Sequence, residues 1–192
     1  MQKRFLAVII AFAAGLAVSA SAQTVVATSP GKGAVAQTVK ATVTITKIDA
    51  ASRAVTVKGP KGHEVTIICG PEVKNFDQMK VGDQVDVEYV EALTLELKKG
   101  STAVVSRSST EAMGTAKPGQ MPGMVAGRQT TIVAEVVGLD AATQTVTLKG
   151  PNRTVDLTLH DPAQFKRVSM GDKVEAVFTE AAAISVRPAA KK

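Results

Sequence analysis

Apolar and polar residues alternate with a period of two along much of the chain, the pattern of strands with one buried face. Val39, Ala41, Val43 and Ile45 are interleaved with Thr42, Thr44 and Thr46. Many of these residues are β-branched, which fits a pleated, half-buried surface. Residues 49–53 break the alternation as a turn, and Val55 and Val57 resume it opposite Thr56 and Lys58. Gly59-Pro60-Lys61-Gly62 reads as a loop, because proline has no N–H for a ladder and glycine punctuates both ends. A third strand is predicted over 63–69, with Val65, Ile67 and Cys69 on one side.

After Pro71 the period changes. Val73, Phe76 and Met79 fall three apart, predicting a helical turn opened by Pro71 and Glu72. Val81-Gly82-Asp83 turns into a fourth strand carrying Val85, Val87 and Tyr89, and Leu93, Leu95 and Leu97 make a fifth.

The same order recurs. The stretch from Ile48 to Pro60 returns as the stretch from Leu139 to Pro151, with eight of thirteen positions identical at a constant offset of 91. Phe165 then matches Phe76, Gly171-Asp172 matches Gly82-Asp83, Glu180 matches Glu91, and Ile184 and Val186 match Leu95 and Leu97, the offset shortening to 89. The chain is one module written twice. The expected fold is all-β: two tandem, small, five-stranded OB-like barrels, each with a short helical turn between its third and fourth strands. An SH3-like barrel or a five-stranded meander satisfies the same strand count. The expected boundaries are a first module at 38–105, a linker rich in Gly, Pro and Met at 106–128, a second module at 129–187 and a tail at 188–192. Residues 23–37 read as a flexible lead-in.

Composition adds compartment and core chemistry. Aromatics are 3% of the 192 residues and Trp is absent, so the cores must be built from Val, Ile, Leu and Ala. Modules of about 60 residues bury only roughly 60% of their unfolded surface, so mutual packing is expected to support them. Residues 1–22 read as a cleaved signal peptide: Lys3 and Arg4 are its basic start, residues 5–18 its apolar stretch, and Ala20-Ser21-Ala22 its small-residue cleavage site. The apolar stretch falls short of the roughly 20 residues a membrane-spanning helix needs. A periplasmic or secreted location follows, with no stable transmembrane segment after cleavage. Two of the 23 basic residues lie in that segment and none of the 17 acidic ones, which leaves a mild net charge of +4. Cys69 is the only cysteine, so no internal disulfide staples the modules.

In the second copy, Val136-Val-Gly-Leu-Asp140, then Val146-Thr-Leu148, a Phe-containing turn, and Met170-Gly-Asp-Lys-Val174 leading to Phe178 resemble the small periplasmic copper/silver chaperones of metal-efflux systems. The first copy follows the pattern nearly as well between Lys47 and Tyr89. That resemblance rests on turn and core positions and implies an exported OB-like barrel. The family's ligands are a His and two Met beside a Trp. This chain has no Trp and no Met in either third strand, so no ligand carries over. The chain also looks like the broader class of uncharacterised exported proteins built from tandem barrels of this kind.

Candidate chemistry is sparse. His63 and Cys69 lie too far apart on an extended strand to chelate one ion, and Cys69 has the parity of a core residue. His63 and His160 are not repeat partners and read as solvent-facing or loop residues. Met113, Met121 and Met124 are soft thioether donors in the expected linker, and they are the metal-ligand candidates. Glu91 and Glu180 share a repeat position, as do Asp83 and Asp172. They read as one carboxylate per module, Glu at a solvated strand end and Asp in an Asx turn, and not as a facing acid/base pair. No catalytic residues and no cofactor are expected. Nucleic acid is not an expected partner, since stacking aromatics are lacking. The expected function is a non-catalytic binding or structural module of the bacterial cell envelope, its partner an unknown protein or glycan. Periplasmic Cu/Ag handling is the alternative, and an enzyme the remote one.

Overall fold

A computed structural model describes residues 21–189; nearly all of the expected signal peptide and the end of the tail lie outside them. The strands are β1 (Ser21–Ser29), β2 (Lys32–Asp49), β3 (Ala54–Lys58), β4 (Glu64–Ile68), β5 (Gln84–Lys98), β6 (Ser106–Thr115), β7 (Gly123–Asp140), β8 (Thr145–Lys149), β9 (Thr154–Thr158) and β10 (Lys173–Arg187). A 3-10 turn, Phe76–Gln78, and a one-turn helix, α1 (Pro162–Phe165), occupy the equivalent places between β4 and β5 and between β9 and β10. The all-β class stands. The two separate closed barrels do not appear: the described strands form one ten-stranded antiparallel sheet, ordered β4-β3-β2-β5-β10-β7-β8-β9, with β1 beside β2 and β6 beside β7.

The reason lies in β5 and β10. The expected fourth and fifth strands of each copy are one continuous strand of 15 residues. At about 3.4 Å per residue it spans roughly 50 Å, more than one small module can cover. Each pairs along nearly its whole length with its own copy's long strand on one edge, β5 with β2 and β10 with β7, and with the other copy's on the other edge, while its far end packs against the other copy. Val186, at the end of β10, is buried with Val43, Ile45, Val55, Val57, Phe76, Val85 and Val87 of the first copy. Its repeat counterpart Leu97, at the end of β5, lines an apolar cavity among the second copy's Val146, Leu148, Leu157 and Val174. The second copy's own cluster is Ala134, Val136, Val146 and Leu148, backed by Leu157, Leu159, Phe165, Val168 and Val174.

The pairing of β5 with β10 is reciprocal. Gln84 and Lys98 correspond by repeat to Lys173 and Arg187, yet Gln84 pairs with Arg187 and Lys98 with Lys173. Only a local two-fold axis between the strands does this, and it passes where Glu91 meets its own counterpart Glu180. Each copy's local devices recur about that axis. Asp49 Oδ1 accepts the N–H groups of Ala51 and Ser52, as Asp140 Oδ1 accepts those of Ala142 and Thr143. Arg53 and Gln144 both take φ of 53° to close their hairpins. The bulge between Ile45 and Lys47 reappears between Val136 and Gly138.

Two segments read as irregular are strands. The expected lead-in at 23–37 forms most of β1 and the start of β2, and the expected linker at 106–128 supplies β6 and the start of β7. Every residue of β6 is exposed, so no buried face imposed an apolar period on its sequence; its backbone ladder to β7 makes it a strand.

Candidate functional site

Three features meet around the two-fold axis: a carboxylate pair on it, and one apolar cavity on either side. Gln37, Glu91, Glu180 and Arg128 form a row across β2, β5, β10 and β7. The two glutamates, read as solvated strand-end charges one per module, in fact face each other at mid-strand. Glu180 is 6% exposed. Such like-charge apposition is destabilising unless it is compensated. Arg128 supplies the compensation on one side: its Nε donates to Glu180 Oε2 at 3.0 Å and an Nη donates to the same oxygen. On the other side Tyr89 Oη donates to Glu91 Oε1 at 2.8 Å and reaches Glu180 Oε1 at 3.5 Å. Burial and the two carboxylates, Glu91 foremost, push the Tyr89 phenol far above its usual range, so it stays a donor. The flanking residues are what the copies do not share, since Arg128 and Tyr89 answer to Gln37 and Phe178. One cation and one neutral hydroxyl donor, different on the two sides, hold a symmetric pair of acids.

Asp83 and Asp172 are buried, at 4% and 7% exposure. The sequence predicts Asx turns here, bonding forward along the chain. Instead Asp83 Oδ2 accepts backward from the Lys80 N–H at 2.9 Å and Oδ1 from the Ala189 N–H at 3.2 Å. Asp172 does the same with Ser169, at 2.9 Å, and Gly100, at 3.4 Å. Each carboxylate ties its own turn to the chain emerging from the other copy's long strand.

The apolar cavities are symmetry counterparts. One, of about 310 Å³, lies on the second copy and is lined by Val146, Leu148, Leu157, Leu159, Val168 and Val174 together with Leu95, Leu97 and residues 31–33 of the first. The other, of about 260 Å³, lies on the first copy and is lined by Val55, Val57, Ile67, Cys69, Met79 and Val85 together with Ile184, Val186 and residues 122–124 of the second. Val55 answers to Val146, Val57 to Leu148, Met79 to Val168, Val85 to Val174, Ile184 to Leu95, and Val186 to Leu97. Gln164 closes one rim of the larger cavity, its Oε1 accepting from the Gly31 N–H and its Nε2 donating to the Ser29 carbonyl, each at 2.8 Å.

The sequence candidates scatter around these features. His63 and His160 are exposed, as read, although His160 reaches the larger cavity. Cys69 has the core parity expected of it: it packs against the first copy's cluster, and burial raises its thiol against the lowering effect of Arg53. Met113 is exposed on β6, Met121 packs on the first copy's core, and Met124 packs beside Ala126, Ala182 and Tyr89. The cavities form between copies and leave one trace in the sequence, the same odd-numbered alternation on both sides of Glu91, from Val85 to Tyr89 and from Leu93 to Leu97. Among the described residues, no helix is long and apolar enough to cross a membrane. Searches among protein-family models, curated proteins and solved structures return no match to this chain.

Proposed function

We propose that this chain is an exported, non-catalytic binding module of the bacterial cell envelope, which takes apolar groups of its partner into the two cavities beside the two-fold axis. Each copy is, in this reading, an OB-like unit whose fifth strand comes from the other copy. The pair of counterpart cavities, each walled by both copies, is the observation that carries the reading. Core side chains normally close-pack with few voids larger than a water molecule. Two equivalent apolar openings retained at the same place in both copies fit the usual character of a binding site, concave and mostly apolar. Export rests on the composition of residues 1–22. The carboxylate pair is assigned to structure and not to catalysis, because Tyr89 and Arg128 already engage both acids.

The test uses a solvatochromic apolar probe whose fluorescence rises in apolar surroundings. The purified protein enhances its emission in this reading, and Leu97→Trp with Val186→Trp, which fill the two cavities, remove the enhancement. A chain that leaves the probe dark, or Trp variants that bind it unchanged, overturns the proposal. Mass spectrometry of the exported protein tests the cleavage, with Gln23 the expected first residue.

A further inference from the structure

The two cavities have counterpart walls but different chemistry. In the smaller one, three of the lining side chains carry sulfur: Cys69, Met79 and Met124. Their counterparts in the larger cavity, Leu159, Val168 and Gly33, carry none, although all three line it as well. Met121 packs against the same first-copy core. The second copy builds an equivalent wall from branched aliphatics and glycine, so packing alone does not call for sulfur at these places. The three positions come from different elements: the segment after β4, the segment after the 3-10 turn, and the start of β7 from the other copy.

We propose that the first copy's cavity is a binding site for a soft monovalent metal ion, held by the Cys69 sulfur and the thioethers of Met79 and Met124. Thiolate and thioether donors favour soft ions over hard ones, which seek oxygen. A monovalent ion on one thiolate is a neutral unit, and an apolar cavity accepts a neutral unit at far lower cost than a net charge. When the metal–sulfur bond forms, the Cys69 thiol proton leaves to solvent, and the thioethers give lone pairs without losing protons. Glu72 lines the cavity too and offers only hard oxygen. The inference is independent of whether apolar groups bind, since it concerns sulfur positions that the larger cavity lacks.

Silver(I) alone is the probe, titrated into the purified protein in chloride-free buffer and read by native mass spectrometry and calorimetry. One equivalent is expected to bind. Met79→Leu and Met124→Leu, near-isosteric changes that keep the core filled, are each expected to weaken it by at least about tenfold. The larger cavity gives a gain-of-function arm: Gly33→Met, Leu159→Cys and Val168→Met together are expected to create a second equivalent. A Cβ at Gly33 meets nothing within 4 Å, so that substitution has room. Circular dichroism confirms that each variant is folded. Silver affinity that depends on Cys69 but is indifferent to both methionines would reduce the site to a lone thiol and overturn the proposal. So would zinc(II) binding more tightly than silver(I), or a folded triple variant that still binds one equivalent.

Discussion

Val186→Ala separates strand exchange from two independent modules, because Val186 belongs by sequence to the second copy and by packing to the first. The residue is 6% exposed, within the cluster of Val43, Ile45, Val55, Val57 and Phe76. Two methyl groups are lost, about 1.6 kcal/mol of transfer free energy at roughly 0.8 kcal/mol per group. The vacated space adds to this, for a total of about 2–3 kcal/mol. Hydrogen exchange under native conditions, where terminal hairpins open locally before the whole sheet does, resolves where the loss falls. Protection is expected to drop in β3 and β4, more than ninety residues away in sequence, and to hold in β8 and β9. Selective loss in β8 and β9 would place Val186 in its own copy and refute the exchange.

Other consequences are as specific. Asp83→Ala removes the acceptor for two backbone N–H groups at a buried site and is expected to cost about 2–4 kcal/mol in urea unfolding, with Asp172→Ala close behind. Gln144→Gly relieves a left-handed residue and is expected to stabilise by about 0.5–1 kcal/mol. Arg53→Gly relieves the same conformation but destabilises in a thermal melt, because Arg53 also donates to the carbonyls of Cys69, Gly70 and Val73 and stacks 4.5 Å from the Phe76 ring. Tyr89 is the chain's only tyrosine, so tyrosinate absorbance reports on it alone. Because its folded value is raised, the stability it contributes is present below the unfolded value near 10 and is lost as pH rises through the folded one. Absorbance is therefore expected to lag the free phenol, and Glu91→Gln to shorten the lag. At the acid end, the hydrogen bond from Arg187 lowers Asp86. That contribution is present above the unfolded value near 3.9 and fades as pH falls through the lower folded one, so Asp86→Asn is expected to flatten the acid limb of a urea-midpoint profile.

Much of this structure is legible residue by residue. The alternation names Val43, Ile45, Val55, Val57, Val85 and Val87 as core, and all are buried. The repeat places the turns at Asp49 and Asp140, and the period of three finds Phe76. Strand exchange is not legible, because Leu95 and Leu97 show the same alternation whichever copy they pack against. The facing of Glu91 and Glu180 follows only once the axis between β5 and β10 is known; a repeat position says that two residues are equivalent and is silent on whether they meet. β6 escapes because an edge strand exposed on both faces carries no buried face to read. The site divides likewise: Met124 is visible as a soft donor, Cys69 and Met79 read as apolar positions, and the grouping of the three around one cavity crosses the copies and needs the fold.

The reciprocal ladder between β5 and β10 holds the two copies in one sheet, and a disulfide tests it directly. Ala92 and Thr179 are paired across it. Neighbouring antiparallel strands hold paired Cα atoms about 4.5–5.5 Å apart, within the range a disulfide spans. In a Cys69→Ala background, Ala92→Cys with Thr179→Cys is expected to oxidise within the monomer to a single species. Ala92→Cys with Ala183→Cys, four residues out of register and so displaced by about 13 Å, is expected to stay reduced. Equal reactivity of the two pairs, or oxidation only between molecules, would mean that the two copies do not share a sheet.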